Sequence, residues 1–575
     1  MTKLHKVVDV IPTAKVARTS DQVFTYLPLD DKDLKPGQLV QIPFGRQRLD
    51  GVIVGQKQQE IDVRKFKRIS KIIDATAVLS PVQLKLARWI ANHYVTSLGL
   101  VIKTMLPRRS VRPPKFSARK IAVEQPYELT TEQLAAMKII RQGKNKVTLL
   151  HGITGSGKTE IYLQTIADCL QKNQQSIVLI PEISLTPQTI DRFTKRFGDD
   201  QIAVLHSRLP YGRRWREWQR IRSGQAKIVV GPRSALFAPV RNLGLIVIDE
   251  EHETSYKQWD KHPRYHAREV AVQYSELTGA KVILGSATPA IETYHQARSG
   301  KFNLAELNER INKAPLPHVE IVDMRNELRG GNKSIISESL QQQIKNTMAA
   351  KEQAILFINR RGAATFVMCR DCGHVIECPE CSVSLTYHWQ DKQDLRCHHC
   401  GHRENVPQTC PACKSQRIRY FGAGTQRVEA EINKLFPEAR VLRMDTDTTK
   451  RTHAHTEIFR TFARHQADIL VGTQMVTQGF DLPKVALVGI ISADTSLNFP
   501  DFRAHERTFQ LLTQVAGRTG RRDKDGLVIL QTYHPKNDAI LAAAKHNYSE
   551  FYQTEIAERR ILGYPPFANF IKITI

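Results

Sequence analysis

The residues best equipped to do chemistry begin at Gly152. Gly152-Ile153-Thr154-Gly155-Ser156-Gly157-Lys158-Thr159 fits the pattern G-x-x-x-x-G-K-[ST] between a strand-like run, KVTLL, and a helix-like one, EIYLQTIADCLQ. Glycines at these places let backbone N–H groups close on phosphates, and the N-terminus of the following helix adds partial positive charge. Lys158 is expected to reach the β- and γ-phosphates of ATP, and the Thr159 hydroxyl to ligate Mg²⁺. Further on, the apolar run Leu245-Ile246-Val247-Ile248 delivers Asp249, followed by Glu250, Glu251 and His252. The C-terminal end of a buried strand is where α/β sheets bind ligands. Asp249 is expected to hold Mg²⁺ through water, and Glu250 to orient and deprotonate the attacking water.

A second constellation is built from cysteine. Of nine Cys, eight form four C-x-x-C pairs: Cys369/Cys372, Cys378/Cys381, Cys397/Cys400 and Cys410/Cys413. Cys169 stands apart and reads as a buried apolar residue. A zinc ion takes four thiolates in a tetrahedron and each pair supplies two, so the set predicts two closed structural sites for two Zn²⁺. Spacing leaves three pairings of the four knuckles. The inner pairs are joined by the fifteen residues 382–396, a zinc-ribbon spacing. Cys378, Cys381, Cys397 and Cys400 would then share one zinc, and Cys369, Cys372, Cys410 and Cys413 the other. A sequential pairing, disulfides and an iron–sulfur centre stay open. With eight thiolates present, His374, His398, His399 and His402 read as surface or nucleic-acid contacts.

Charge points to a polyanion. Lys plus Arg is 84 against 57 for Asp plus Glu, a net of +27. Arg108–Lys120 holds six cations and no acid, and Arg208–Arg222 holds six Arg with Trp215 and Trp218 among them. Cations beside aromatics suit a nucleic-acid backbone track with stacking platforms. No apolar run approaches the roughly 20 residues of a membrane span. The N-terminus has no signal-peptide core, so the expectation is a cytoplasmic protein without membrane attachment.

These side chains must be positioned by several domains, roughly four at this length. Residues 1–105 alternate strand-like runs with turns such as Lys35-Pro36-Gly37, then carry a helical stretch, Pro81 to Tyr94. The Pro- and cation-rich stretch 106–126 reads as a linker. Over 127–310 strands (KVTLLHG, SIVLIPE, QIAVLHS, KIVVGP, LGLIVIDE, KVILGSAT) alternate with helices, which predicts a parallel α/β sheet. A second such set (QAILFINR, ARVLRMD, ADILVGTQ, VALVGIIS, GLVILQTY) spans 311–368 and 414–535, interrupted by the cysteine block 369–413. One helical stretch, Asn537 to Ile561, is expected in the last part, 536–575.

Asp249-Glu250-Glu251-His252 resembles the DEAH-type box of superfamily-2 helicases, and the superfamily's other motifs follow in order. Gly285-Ser286-Ala287-Thr288-Pro289 is similar to the motif that links nucleotide state to strand movement. Val471-Gly472-Thr473-Gln474 through Gly479-Phe480-Asp481 resembles motif V. Gln514-Val515-Ala516-Gly517-Arg518-Thr519-Gly520-Arg521 matches Q-x-x-G-R-x-G-R. The resemblance implies two RecA-like lobes closing on ATP, Gln133 reading adenine, and Arg518 and Arg521 neutralising charge on the γ-phosphoryl, with Gln514 beside them.

Within that superfamily the sequence resembles the PriA family of replication-restart helicases. The similarity rests on the eight-Cys insertion just after Ile355-Leu-Phe-Ile-Asn-Arg-Arg-Gly362, on GAGTQRVE at 422–429, on SLNFPDFRAHERTFQLLTQVAGRTGR, and on YKQWDKHPRYHARE at 256–269. It implies an ATP-dependent 3′→5′ DNA helicase, a monomer, that binds branched and single-stranded DNA. Such a helicase remodels stalled forks and supports primosome assembly with primosome proteins and single-strand-binding protein. It also implies the nested cysteine pairing, single-strand contacts at Tyr256, Trp259 and Tyr265, and a DNA 3′-end pocket at Phe24, Thr25, Gly45 and Lys67. Family members often carry Asp where Thr25 stands. They place a winged helix where this sequence has only the linker 106–126, and their C-terminal domain is expected to continue past Ile575. A superfamily-2 translocase acting on RNA, and a fork-binding scaffold with an idle nucleotide site, are the alternatives.

Overall fold

The computed structural model describes residues 3–14, 23–29, 34–110, 113–119, 121–182, 184–359, 365–380, 383–388, 394–398, 400–421, 424–445, 448–449, 454–477, 484–519 and 526–571. They fall into two compact units: 1–152 with 157–289 and 296–308, and 153–156 with 290–295 and 309–575.

The first unit opens with a five-stranded antiparallel sheet in the spatial order Phe24–Tyr26, Lys3–Pro12, Gln47–Ile61, Leu39–Phe44, Lys71–Asp74. Alternation puts Val8, Val10, Val40, Ile42 and Ile53 on one buried face. The predicted turn at Gly37 requires glycine: φ is 90°, and a Cβ there would lie 2.0 Å from the Leu79 carbonyl oxygen. Helix Pro81–His93 follows, started by a Ser80/Gln83 capping box. Its Gln83 Nε2 donates 3.0 Å to the Ala238 carbonyl, tying this domain to the sheet that follows. A short helix, Leu98–Met105, was not expected from the sequence.

The described part of 106–126 does not stand free but is strapped down. Phe116 lies between the guanidinium groups of Arg220 (3.5 Å from the ring centre) and Arg216 (5.4 Å). Glu124 N donates to Lys195 O, Arg119 pairs with Asp199, and Arg196 donates to Gln125 O. A Pro-rich segment that cannot form its own helix has its polar groups met by the neighbouring surface instead.

Beyond the strap lies a seven-stranded, all-parallel sheet ordered Asn303–Leu307, Val147–Gly152, Lys281–Ser286, Leu243–Asp249, Gln175–Leu179, Ile228–Gly231, Ile202–Val204. Its central strands are buried on both faces, which is why they read as unbroken Val/Ile/Leu runs. The strand Asn303–Leu307 was missed, since its polar Asn and Glu break such a run.

The second unit carries a six-stranded parallel sheet ordered His318–Asp323, Leu527–Thr532, Val485–Ile490, Gln353–Phe357, Ile469–Gly472, Val441–Met444. Both parallel sheets, flanked by helices, are RecA-like. Between two of the six strands the chain makes a separate five-stranded antiparallel sheet from Arg403–Asn405, Asp394–Arg396, Thr386–His388, Thr365–Cys369 and Ile418–Phe421. Val367, Ile376, Leu385, Leu395 and Ile418 form its small core.

The expected single C-terminal helix is two, Asp538–Ala544 and Tyr548–Ile561. His546 takes a left-handed φ of 53°, and the Asn547 side chain caps the second helix by accepting from Glu550 N, so the break is built from local chemistry. In that second helix Arg559, 1% exposed, is held by Glu506 (2.7 Å) and Glu555 (2.8 Å).

Candidate nucleotide and nucleic-acid sites

The phosphate loop follows strand Val147–Gly152 and opens helix Lys158–Gln171. Gly155 and Gly157 have φ of 88° and 83°, turning the loop where a side chain would be strained. Lys158 Nζ donates 2.5 Å to the Gly152 carbonyl and so lies back across the loop. Desolvation pulls the Lys158 ammonium below its ordinary pKa, opposed by the charges of Glu250 and Asp249. Asp249 ends the strand between Lys281–Ser286 and Gln175–Leu179. Burial, then the Glu250 charge, push its carboxyl up to about 6, with Lys158 and a hydrogen bond from Tyr162 acting the other way.

Tyr162 was not anticipated. Its hydroxyl donates 3.0 Å to Asp249 Oδ1 and fills the space beside Gly285, where a Cβ would sit 1.7 Å from that oxygen. Gly285 is therefore glycine because Tyr162 reaches Asp249.

Glu250 takes a left-handed φ of 50°, a conformation that costs a non-glycine residue about 1–3 kcal/mol and clusters at functional sites. Its Oε2 is buried without a hydrogen-bond partner, 3.7 Å from His252 Nδ1. An acceptor in that state suits a water molecule that must be held and deprotonated. His252 Nδ1 pairs with Ser286 Oγ at 2.7 Å, and Glu251 N donates to the Gly285 carbonyl at 3.0 Å. Thus the acidic box and Gly285-Ser286-Ala287-Thr288 are joined through side chain and backbone. Glu251 is fully buried and held by Arg268 at 2.6 Å.

Other expected nucleotide residues are placed individually. Gln133 is buried, and its side-chain oxygen accepts from Thr130 N at 2.9 Å in a capping box that starts helix Thr131–Gln142. Gln514 lies half-buried on helix Ala504–Ala516, and Arg518 stands in the turn that follows. Arg521, Gly479, Phe480 and Asp481 lie outside the described residues.

The aromatic segment after the acidic box corrects two expectations. Tyr256 is 1% exposed, with its hydroxyl at 2.7 Å from the Asp249 carbonyl and 3.0 Å from that of Leu179. Tyr265 is fully buried against Phe237. Neither offers a face to a base. Trp259, 59% exposed, does. The Arg208–Arg222 stretch is corrected likewise: Trp215 and Trp218 are buried and stacked on each other at 5.0 Å, and Arg220 is buried on Glu217.

In the N-terminal sheet, the four expected residues are neighbours. Phe24 packs edge-on against Phe44 at 4.9 Å, Lys67 Nζ donates 3.3 Å to the Gly45 carbonyl, and Leu27 N bonds Lys67 O. Thr25 Oγ1 donates 2.7 Å to Asp9 Oδ1 from the facing strand position. Asp9 thus places a carboxylate beside Thr25, with its other oxygen paired to Lys57 at 3.1 Å. Its signal in the sequence is one acid within the apolar stretch Val7-Val8-Asp9-Val10-Ile11.

Cys369, Cys372, Cys410 and Cys413 bring their Sγ atoms within 4.8 Å of one another, and so do Cys378, Cys397 and Cys400; Cys381 lies outside the described residues. This is the nested grouping. Sγ separations are 3.6 Å (Cys369–Cys413), 3.7 Å (Cys372–Cys410) and 3.5 Å (Cys378–Cys400). Disulfide sulfurs would be about 2.05 Å apart, whereas thiolates around a tetrahedral zinc, at about 2.3 Å each, stand roughly 3.8 Å apart. Burial and the surrounding thiols push Cys372 up to about 12, so a cation is what would ionise the set. The donor set fits zinc. His402 faces Glu404, His398 faces His388, and His399 lies outside the described residues.

A parallel-sheet nucleotide fold with these motifs is that of a DEAD/DEAH box helicase. Residues 130–297 match that domain, and 405–523 match the helicase conserved C-terminal domain. Residues 10–107 match the 3′DNA-binding domain (3′BD) of PriA, and 378–404 match the PriA DNA helicase Cys-rich region. The chain belongs to the PriA family. It is 53% identical over 455 residues to the replication restart protein PriA of Bacillus subtilis (strain 168), covering 78% of this chain and 56% of that one. It is 48% identical over 465 residues to PriA of Synechocystis sp. (strain ATCC 27184 / PCC 6803 / Kazusa), covering 79% and 56%. PriA of Treponema pallidum (strain Nichols) is 38% identical over 545 residues, covering 93% and 82%. The chain thus spans little more than half the length of the first two relatives. No helix among the described residues is long and apolar enough to cross a membrane.

Proposed function

We propose that this chain is an ATP-hydrolysing 3′→5′ DNA helicase that remodels stalled replication forks and supports primosome assembly, working in the cytoplasm as a monomer. The observation that carries the reading is the joined acidic box: Asp249 and Glu250 beside Lys158, with His252 bonded to Ser286. The Gly152–Thr159 loop would cradle the ATP phosphates, with Gln133 at the adenine. Thr159 and Asp249 would hold Mg²⁺, which would supply neutralising charge to the phosphates. Glu250 takes the proton of the water whose oxygen attacks the γ-phosphorus, and ADP leaves. Arg518 and Arg521, with Gln514 beside them, stabilise the charge on the transferred group, a contribution worth roughly 10³–10⁵ in rate in related phosphate-loop enzymes. The His252–Ser286 contact would link the nucleotide state to movement of the DNA strand.

DNA enters the reading through the N-terminal sheet and Trp259. Phe24, Thr25, Gly45 and Lys67, with Asp9 as acceptor for a sugar hydroxyl, would receive a DNA 3′ end. The two cysteine sets would hold two structural Zn²⁺. Primosome proteins and single-strand-binding protein are the partners that the family's role suggests. Strand displacement on forked DNA, with and without a leading-strand 3′ end, tests the proposal. Wild type is expected to unwind, and faster with the 3′ end present. Lys158→Ala should bind the fork yet neither hydrolyse ATP nor unwind. ATP hydrolysis retained in Lys158→Ala refutes it.

A further inference from the structure

Within the first unit, the segment that carries Trp259 lies against the end of the N-terminal helix Pro81–His93. His266 N donates 3.0 Å to the Tyr94 hydroxyl, which in turn bonds Glu269, and the Lys257 ammonium stands 5.0 Å over the Tyr94 ring. The same ammonium is 5.8 Å from the Trp259 ring centre. Tyr94 is a pin between two parts of the fold, and what it joins is two aromatic surfaces.

On the helix, Lys85, Trp89 and His93 follow at i, i+4 and i+8 and share one face. Lys85 and His93 are exposed and Trp89 half-exposed. Trp89 and His93 stack in parallel at 4.5 Å and 11°, and His93 meets Tyr94 edge-on at 4.7 Å. The contacts therefore run without a gap from Trp89 through His93, Tyr94 and Lys257 to Trp259. Exposed Arg88, Lys261 and Arg264 flank them, against two acids, Asp260 and Glu269. Planar groups in sequence, edged by more cations than acids, are what a single strand needs: faces for the bases and charge for the phosphates. A purely structural cluster would be closed to solvent, as Trp215 and Trp218 are at 6% and 3% exposure.

We propose that Lys85, Trp89 and His93 are single-stranded-DNA contacts, continuous with Trp259, so that one strand is held by the N-terminal domain and the nucleotide-binding sheet together. The inference rests on the reading of the chain as a DNA motor and adds to it a track for the strand. Recognition is by base faces and phosphates and is sequence-tolerant.

The test uses the full chain and a dye-labelled oligothymidylate. In anisotropy titrations the double variant Lys85→Ala/His93→Ala should bind roughly thirtyfold more weakly, the middle of the range for one lost stacking contact. The slope of log K against log salt should fall by about 1 for the lost lysine. The melting temperature, read alongside, should stay at the wild-type value. In the second arm, oligothymidylate should quench tryptophan emission, and Trp89→Phe should lose part of that quench in a background where Trp259→Phe loses another part. Wild-type affinity and salt slope in the double variant, or a quench unaffected by Trp89→Phe, overturns the proposal while leaving the motor reading intact. Failure of the wild-type chain to bind the oligonucleotide overturns both.

Discussion

Two stretches of this chain carry the same kinds of residue and put them to opposite use. Arg208–Arg222 mixes tryptophan and tyrosine with Arg, and the 256–268 segment mixes them with Arg and Lys. In the first, helix Tyr211–Ser223 turns Trp215, Trp218 and Ile221 to one buried face, and its arginines clasp Phe116 of the strap and Glu217. In the second, the tyrosines go inward and Trp259 stays out beside Lys257, whose ammonium also lies over Tyr94. The difference teaches that cation–aromatic composition marks a potential for stacking. Whether nucleic acid or the protein itself fills it depends on whether another segment of the chain already lies there.

Substitutions can sharpen or break that contrast. Trp218→Ala, emptying a buried site, should cost about 3–5 kcal/mol of stability by urea unfolding, with oligonucleotide affinity of the folded protein unchanged. Loss of affinity at full stability would erase the distinction. Arg220→Ala leaves Glu217 buried beside only Arg216 and should cost about 3 kcal/mol in the same assay. Trp259→Ala should do the reverse: stability within about 0.5 kcal/mol of wild type, and single-strand binding weaker by about 1–3 kcal/mol.

The smallest effect expected is a pH dependence at the helix end. Burial raises the Asp74 carboxyl, but the hydrogen bonds and charge of Arg222 outweigh it and leave the pKa lowered. A depressed carboxyl stabilises the fold above its ordinary value, near 3.9, and that contribution disappears as pH falls through the lower folded value. Asp74→Asn should therefore be less stable than wild type at neutral pH by about 1 kcal/mol, and thermal melts should show the gap closing below about pH 4. A gap that persists in acid would show that the loss is not electrostatic.

Much of the nucleotide site was legible because its signals are local. The loop Gly152–Thr159 and the run ending at Asp249 announce themselves over a few residues, and the cysteine pairs do the same. What stayed hidden depends on contacts between distant positions. Tyr162 reaches Asp249, Asp9 answers Thr25 across two strands, and His252 meets Ser286, and no local pattern encodes those meetings. The burial of Trp215 and Trp218 could have been found, since positions i, i+3 and i+6 share a helix face. The packing of 106–126 is not legible because proline and charge describe a free tether as well as a strap.

The central claim is that Glu250 activates water at a nucleotide held by Lys158. Phosphate release from ATP in the presence of single-stranded DNA, compared between wild type and Glu250→Gln, tests it most directly. The account predicts DNA-stimulated release by wild type. It predicts a fall of about 10²–10⁴-fold in Glu250→Gln, with ATP still bound. Release by Glu250→Gln at the wild-type rate would contradict it.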